Sequence, residues 1–163
     1  MEEQPQKLEF TDADFEKIKE DAETFYKTIG SIRCPYFQEN INFNAEGIEH
    51  IKFKSWNRAR SKNDQFMRLK LLRLAPETIR NSKTLQGVFE KKVLVSKKVN
   101  KRREKVLTDV IYYEFVAVLE HKRVKVIVKQ IRGGEKFFWT LIPYWKMDGF
   151  HRRVLYEGNP ETD

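Results

Sequence analysis

Apolar residues in the first half of the chain recur at the spacing of α-helices, and capping residues mark where the helices begin and end. Thr11 can accept hydrogen bonds from the free amides of a first turn, and Gly30 stands where a C-cap belongs. A second helix is predicted from the N-cap Asn44 to about Arg58. A third begins near residue 63, and Pro76 either kinks it or starts a fresh turn that ends near residue 82.

Beyond residue 82 the spacing changes from helical to alternating, which predicts strands. Four runs show this alternation: Val88–Val95, Val110–Leu119, Arg123–Ile131 and Lys136–Trp145. Gly133-Gly134 is a strong hairpin signal, and the basic stretch between Lys91 and Lys105 is predicted to be an exposed loop in its middle. The sequence therefore predicts an α+β fold, with N-terminal helices packed on one face of a roughly four-stranded antiparallel sheet.

The length of 163 residues fits one folded domain. We expect a flexible tail over residues 1–10, a single α+β domain over residues 11–147 and a polar tail over residues 148–163. No apolar run is long enough to span a bilayer, and the acidic start lacks the features of a secretory signal. Cys34 is the only cysteine, which favours a reducing compartment. These features predict a cytoplasmic protein with no membrane partner.

The glycine pair fixes a register for the last two strands if it forms a two-residue turn. Lys129 then pairs with Phe138, Ile127 with Thr140, and a similar turn at residues 121 and 122 places Glu114 opposite Lys129. The predicted apolar face carries Val124, Val126, Val128, Trp139 and Leu141, and the open face carries Lys125, Lys129 and Thr140. An open face of lysines and hydroxyls suits phosphate binding, although ordinary cross-strand ion pairs explain it equally well.

The net charge of +8 is divided unevenly along the chain. Residues 1–50 carry 12 acidic and 5 basic side chains, whereas residues 51–163 carry 12 acidic and 27 basic ones. A strongly basic region attracts phosphate backbones, so the expected partner is RNA. A merely solvated charged surface and a membrane surface are the alternatives.

His50 is the histidine with the most informative surroundings. On the predicted second helix it shares a face with Lys54 and Arg58, at intervals of four residues. An imidazole beside cations can transfer protons to and from an RNA phosphate while the cations stabilise its charge, without a metal or other cofactor. The alternative is a partly buried structural histidine. The sequence shows no metal ligands at suitable spacing.

Four stretches occur in one order along the chain. They are Cys34-Pro35 with Ile41-Asn42-Phe43-Asn44; Gly47-Ile48-Glu49-His50-Ile51-Lys52-Phe53-Lys54; Arg68-Leu69-Lys70-Leu71-Leu72; and Val126-Ile127-Val128-Lys129-Gln130-Ile131 running into Phe138-Trp139-Thr140-Leu141-Ile142-Pro143. In this order and spacing, residues 32–145 resemble the phage- and toxin-associated nucleases of the barnase/EndoU/colicin/RelE superfamily.

The resemblance implies helices packed on a four-stranded antiparallel sheet and metal-independent RNA cleavage through a cyclic phosphate. It places the catalytic histidine at His50, a basic position at Lys54 and the sheet lysine at Lys129. The hydroxyl position falls on Thr140, where serine is expected as often. This departure leaves a catalytic part for the hydroxyl open.

The function predicted from the sequence is a small basic endoribonuclease that cleaves RNA by 2′-hydroxyl transesterification and needs no cofactor. Toxin activity is one role for such an enzyme, and an acidic antitoxin or immunity protein is then the expected protein partner. Predicted nucleic-acid-binding residues are Arg58, Arg60, Lys97, Lys98, Lys101, Arg102, Arg103 and Lys125. The alternatives are a non-catalytic RNA- or DNA-binding module and a protein-interaction domain.

Overall fold

The structure is a computed structural model that describes residues 10–55, 58–147, 153–155, 159–161 and 163. In chain order, its elements are α1 (Asp12–Ile29), β1 (Ser31–Cys34), β2 (Glu39–Asn42), α2 (Ala45–Lys52), β3 (Phe53–Ser55), β4 (Arg58–Ala59) and α3 (Lys62–Leu71). They continue with α4 (Leu74–Asn81), β5 (Gly87–Val99), β6 (Arg102–Leu119), β7 (Lys122–Ile131), β8 (Lys136–Pro143), β9 (Trp145–Met147) and β10 (Arg153–Leu155).

The main sheet has six strands in the order β1-β2-β8-β7-β6-β5. Neighbouring strands are antiparallel except β2 and β8, which run parallel and pair at Asn42 and Phe137. Two short ribbons, β3–β4 and β9–β10, stand apart from it. The predicted α+β class is therefore confirmed. The expected strand number was too low, because β1 and β2 lengthen the sheet and make it mixed.

Local sequence chemistry sets the helix boundaries. At the start of α1, Thr11 and Asp14 form a capping box, in which each side chain accepts a hydrogen bond from the other residue's amide. Gly30 follows α1 with a φ of 65°, as its C-cap position predicted. Pro76 lies in the first turn of α4, which confirms the fresh turn expected there.

The second helix ends six residues earlier than predicted, at Lys52. The chain turns there into β3, which pairs with β4, and the Arg60 amide donates to the Lys52 carbonyl at 2.9 Å. Lys54 lies on β3 and Arg58 on β4, so neither continues the helical face of His50. The prediction was wrong because apolar spacing alone does not show where a short helix passes into an extended segment.

The basic stretch, whose middle was predicted to be an exposed loop, forms a long two-stranded ribbon in which only a two-residue turn interrupts the strands. From Lys92 opposite Asp109 to Val99 opposite Arg102, β5 and β6 stay paired beyond the part of β6 that pairs with β7. Asn100 and Lys101 form the turn with φ values of 49° and 65°, as a tight hairpin connection requires.

The β7–β8 hairpin departs from its predicted register because its loop is longer than two residues. Lys129 faces Phe137 rather than Phe138. An irregularity between Ile127 and Val128 then restores the predicted pairing of Ile127 with Thr140 and leaves Trp139 as the extra residue of a bulge. Trp139 therefore packs on the face opposite the one predicted for it, against the side chains of Tyr112 and Ile127 and their apolar neighbours.

The turn between β6 and β7 also lies one residue earlier than expected. Glu120 and His121 adopt positive φ values of 50° and 62°, and Leu119 pairs with Lys122. Glu114 consequently faces Ile127, and the residue opposite Lys129 is Tyr112.

The sheet separates two apolar clusters. The larger one joins the helices to one sheet face through residues that include Phe115, Val126, Val128, Phe138 and Leu141. The smaller one, on the other face, contains Val110, Tyr112, Ile127 and Ile142, with Trp139 at its margin. The apolar face predicted from alternation is confirmed for all its members except Trp139.

Gly47 is required where α2 packs on β8. A Cβ at this position would lie 2.6 Å from the Phe138 carbonyl oxygen and 2.6 Å from the Tyr26 hydroxyl, which itself donates to the Asn44 carbonyl at 2.5 Å. We expect Gly47→Ala to lower the free energy of unfolding by about 2–3 kcal/mol, because overpacking outweighs the gain in helix propensity. Urea denaturation measures the change; increased stability would contradict this packing.

Candidate functional site

An open hollow of about 630 Å³ lies between α2, β3 and the β7–β8 hairpin. We call it the Trp139 hollow. Its lining residues are Ala45, Glu46, Glu49, His50, Phe53, Lys54, Ser55, Lys129 and Trp139. Three of the four residues predicted as catalytic from the sequence, His50, Lys54 and Lys129, therefore line one concave surface.

The Trp139 indole contacts one predicted site residue from a helix, His50, and one from the sheet, Lys129. The His50 imidazole stacks on its indole with the ring centroids 4.0 Å apart and the planes at 20°. The Lys129 Nζ lies 3.8 Å from a Trp139 ring centroid, within cation–π range. This meeting depends on the bulge, which brings Trp139 to the sheet face of Lys129, and on α2, which packs along β8.

His50 is buried, with 4% of its surface exposed. The Arg60 Nη2 lies 3.1 Å from its Nε2, and the Arg60 Nε donates to its carbonyl oxygen at 3.0 Å. A guanidinium can only donate, so Nε2 accepts and the neutral ring carries its proton on Nδ1. Burial, followed by the charges of Arg60, Arg68 and Lys129, lowers the pKa of His50 to about 2. The imidazolium form is therefore absent near neutral pH.

Two buried arginines lie beside this imidazole and share one carboxylate. The Arg68 Nε donates to the Asp64 Oδ1 at 2.8 Å, and the Arg60 Nη1 is 3.6 Å from the Asp64 Oδ2. Arg68 also donates to the Thr140 hydroxyl at 3.0 Å and to the Leu141 carbonyl at 3.3 Å. Arg60 and Thr140 are 2% and 0% exposed, so these two predicted site residues lie inside the protein, and neither lines the hollow.

Lys129 brings an ammonium group to the hollow from the sheet. Burial lowers its pKa, while the charges of Glu46 and Glu161 act in the opposite direction. A partly desolvated lysine against an aromatic ring can bind a phosphate oxygen, and its ammonium releases a proton more readily than that of a solvated lysine. These two properties make Lys129 the side chain in the hollow best suited to chemistry on a phosphate.

Glu46 and Trp139 are site residues that the sequence reasoning missed. Glu46 is exposed on α2 and lines the hollow with His50. A signal for it existed, because it precedes His50 by one helical turn and so shares its helix face. Trp139 had no such signal, because its position depends on a bulge that the alternation of the strand does not show.

The other predicted binding residues lie outside the hollow. Arg58 is exposed on β4, and Lys125 lies 3.6 Å from the Glu114 carboxylate across the strands. Exposed cations on the β5–β6 ribbon and its turn are Lys97, Lys98, Lys101, Arg102 and Arg103. The structure thus places the predicted cations in several separate locations: Arg60 in the interior, Lys54 and Lys129 at the hollow, five on the ribbon, and Arg58 and Lys125 apart from all of these.

Residues near the end of the chain also contact the site. The Trp139 Nε1 donates to the Pro160 carbonyl at 3.1 Å, and Arg60 donates to the main-chain oxygen of Asp163 at 3.1 Å. Glu161 forms an ion pair with Lys91. Of the tail predicted over residues 148–163, positions 148–152, 156–158 and 162 lie outside the described residues.

The predicted N-terminal tail also falls largely on residues outside the described ranges, since positions 1–9 are among them. Phe10 is described, and its ring stacks on that of Phe66 with the centroids 4.2 Å apart.

The chain matches no family model, no curated protein and no solved structure. The resemblance to the nuclease superfamily therefore stays a prediction. Of the helices in the described ranges, none combines the length and the apolar character that crossing a bilayer requires.

Burial of the neutral His50 makes the protein acid-sensitive. Its pKa in the folded state is lowered from 6.5 to about 2, so the unfolded state binds the extra proton as the pH falls below about 6.5. Stability present above this pH is lost on acidification, by about 2.5 kcal/mol between pH 7 and pH 4.5. We expect His50→Gln to remove most of this dependence in urea denaturation at the two pH values. An equal loss in the variant and the native protein would contradict the assignment.

Proposed function

We propose that the protein is a metal-independent endoribonuclease that cleaves RNA in the Trp139 hollow by attack of a 2′-hydroxyl on the adjacent phosphate. The observation that supports this function is the meeting of a partly desolvated ammonium, Lys129, and a carboxylate, Glu46, at one open hollow. The net charge of +8 favours a polyanionic substrate, and the exposed ring of Phe53 offers a base a stacking surface at the rim.

In the cleavage step, Glu46 acts as the general base and Lys129 as the general acid. Glu46 accepts the proton of the 2′-hydroxyl, and the 2′-oxygen forms a bond to phosphorus as the bond from phosphorus to the 5′-oxygen breaks. Lys129 stabilises the charge that develops on the phosphate and donates a proton to the leaving 5′-oxygen. The products are a 2′,3′-cyclic phosphate and a free 5′-hydroxyl, and exchange with water restores both side chains.

His50 has a different role in this proposal from the one expected from the sequence. Its neutral, buried ring does not suit general acid or base catalysis near neutral pH, because its pKa is about 2. It positions Trp139, against which the Lys129 ammonium lies. A neutral ring also avoids placing another positive charge beside a lysine that is already partly desolvated.

Incubation of the purified protein with end-labelled RNA in excess chelator tests the function. We expect fragments with 2′,3′-cyclic phosphate ends, and no cleavage of DNA of the same sequence, because DNA lacks the attacking hydroxyl. Glu46→Gln should reduce the rate about 100-fold or more, which is the scale of a lost general base. Glu49→Gln is the matched control; this carboxylate lies at the rim, 61% exposed and 4.0 Å from Lys52, and its loss should change the rate little.

Intact RNA after prolonged incubation, or cleavage that occurs only when a divalent metal is restored, would contradict the proposal. A non-catalytic RNA-binding module is the second candidate, and the neutrality of His50 is the observation that favours it. RNA binding without cleavage would identify that module. RNA cleavage in cells would give the protein a toxin-like activity, for which an acidic antitoxin or immunity protein is the fitting partner.

A further inference from the structure

The outer strand β5 offers an unpaired edge for binding. It is 13 residues long, stands at the end of the six-stranded sheet and, among the described residues, pairs only with β6. Its central residues form a symmetric pattern, in which the apolar Val93-Leu94-Val95 is flanked by Lys91-Lys92 on one side and, after Ser96, by Lys97-Lys98 on the other. The outward main-chain groups of such an edge can pair with another strand.

Two leucines on the ribbon are unusually exposed for their size. Leu94 and Leu107 face each other across β5 and β6 and are 65% and 56% exposed. Scattered exposed leucines need no explanation, but two adjoining ones on a free sheet edge form an apolar patch. Exposed cations surround this patch, with Lys98 and Arg103 paired towards the turn and Lys105 beside Leu107. An apolar centre with a charged rim is the anatomy of a protein-binding surface.

The charge pattern decides between the candidate occupants. A second copy that paired its own β5 antiparallel, with Leu94 opposite Val95, would bring Lys91 against Lys98 and Lys92 against Lys97 at both ends, and like charges across strands are destabilising. The lysines therefore oppose self-pairing, as edge lysines commonly do. RNA would bind the lysines through its phosphates, but the apolar leucine pair does not contribute to phosphate binding. An extended acidic and apolar peptide uses all three features.

We propose that β5 is a docking strand for a protein partner, which adds an extended segment with an apolar centre and acidic residues at both ends. Main-chain hydrogen bonds to the edge would supply affinity, and the lysine pairs would select the acidic ends. The chain itself shows that a carboxylate fits at this strand, since Glu161 pairs with Lys91. This inference does not rest on the proposed RNA cleavage, and its test uses binding alone.

Fluorescence anisotropy of the full chain with a labelled peptide, acetyl-EEVLVTEE-amide, tests the docking strand. In an added strand only alternate amides face β5, so two peptides with N-methyl groups on alternate sets of amides separate pairing from simple charge attraction. We expect one of them to lose about tenfold or more in affinity and the other to bind like the parent peptide. Equal binding by both N-methylated peptides, or no binding by the parent peptide, would overturn the proposal.

Variants of the chain locate the site. Leu94→Ser and Lys98→Glu should each weaken peptide binding about tenfold, the first by removing the apolar centre and the second by reversing a flanking charge. Val118→Ser is the matched control, because Val118 is 63% exposed but lies on β6 outside the ribbon. Circular dichroism checks that the variants fold. If RNA binds in a Lys98-dependent manner while the peptide does not bind, the ribbon is a nucleic-acid surface and the docking strand is refuted.

Discussion

Replacing Asp64 with alanine is expected to lower the free energy of unfolding by about 3–5 kcal/mol, the scale for a buried charge that loses its partner. Asp64 supplies the negative charge beside two buried guanidiniums, those of Arg60 and Arg68, and its own side chain is 10% exposed. Its removal takes away the carboxylate that both guanidiniums contact. If the stability of the chain is ordinary for its size, about 5–15 kcal/mol, the variant should still fold at room temperature but with a much smaller margin.

The matched control for Asp64 is Glu39→Ala, which removes a carboxylate from an exposed ion pair. Glu39 lies 2.8 Å from the Lys136 ammonium, but its side chain is 56% exposed, so solvent screens the interaction. We expect a loss of less than about 1 kcal/mol in urea denaturation. A similar small loss for both variants would show that the two arginines are stabilised by something other than Asp64.

The second large effect is on activity, for Lys129→Met. The rate constant kcat/KM for RNA cleavage should fall about 100- to 1,000-fold, because the variant lacks the cation that stabilises the developing phosphate charge. The free energy of unfolding should not fall with it, because burial lowers the pKa of Lys129 and its charge therefore opposes folding. This opposition between stability and activity is typical of residues kept for function.

Lys125→Met is the matched control for Lys129, because the two lysines lie on the same strand and the same face. The Lys125 ammonium lies 3.6 Å from Glu114 and does not line the Trp139 hollow, so its loss should leave cleavage nearly unchanged. Cleavage at the native rate by Lys129→Met, or equal losses in both variants, would contradict the proposed role. Loss of activity together with loss of stability would mean that Lys129 supports the fold rather than the reaction.

The features that local chemistry determines were predictable from the sequence. The capping residue Thr11 and the glycine after α1 marked the two ends of the first helix, and the alternation after residue 82 located the strands β5 to β8. These predictions needed only contacts close in sequence or a side-chain period.

Features that depend on tertiary structure were not predictable. The end of α2 depends on the pairing of β3 with β4, which apolar spacing does not report. The position of Trp139 depends on a bulge. One extra residue in a strand moves the side chains beyond it to the opposite face of the sheet. The pKa of His50 depends first on its burial and then on the charges of Arg60, Arg68 and Lys129. Neither could be read from the sequence, which placed Arg60 among the nucleic-acid-binding residues, whereas its side chain is buried.

The parallel pair between β2 and β8 has a consequence for how the protein folds. The strands from β5 to β8 follow one another through short turns, so each can join its neighbour at a small cost in chain entropy. Asn42 and Phe137, in contrast, lie far apart in sequence, and contacts of this kind slow folding. We expect the meander to form first and the helical half to dock last. An incompletely folded chain would then display its cations before it had assembled the hollow in which they could act.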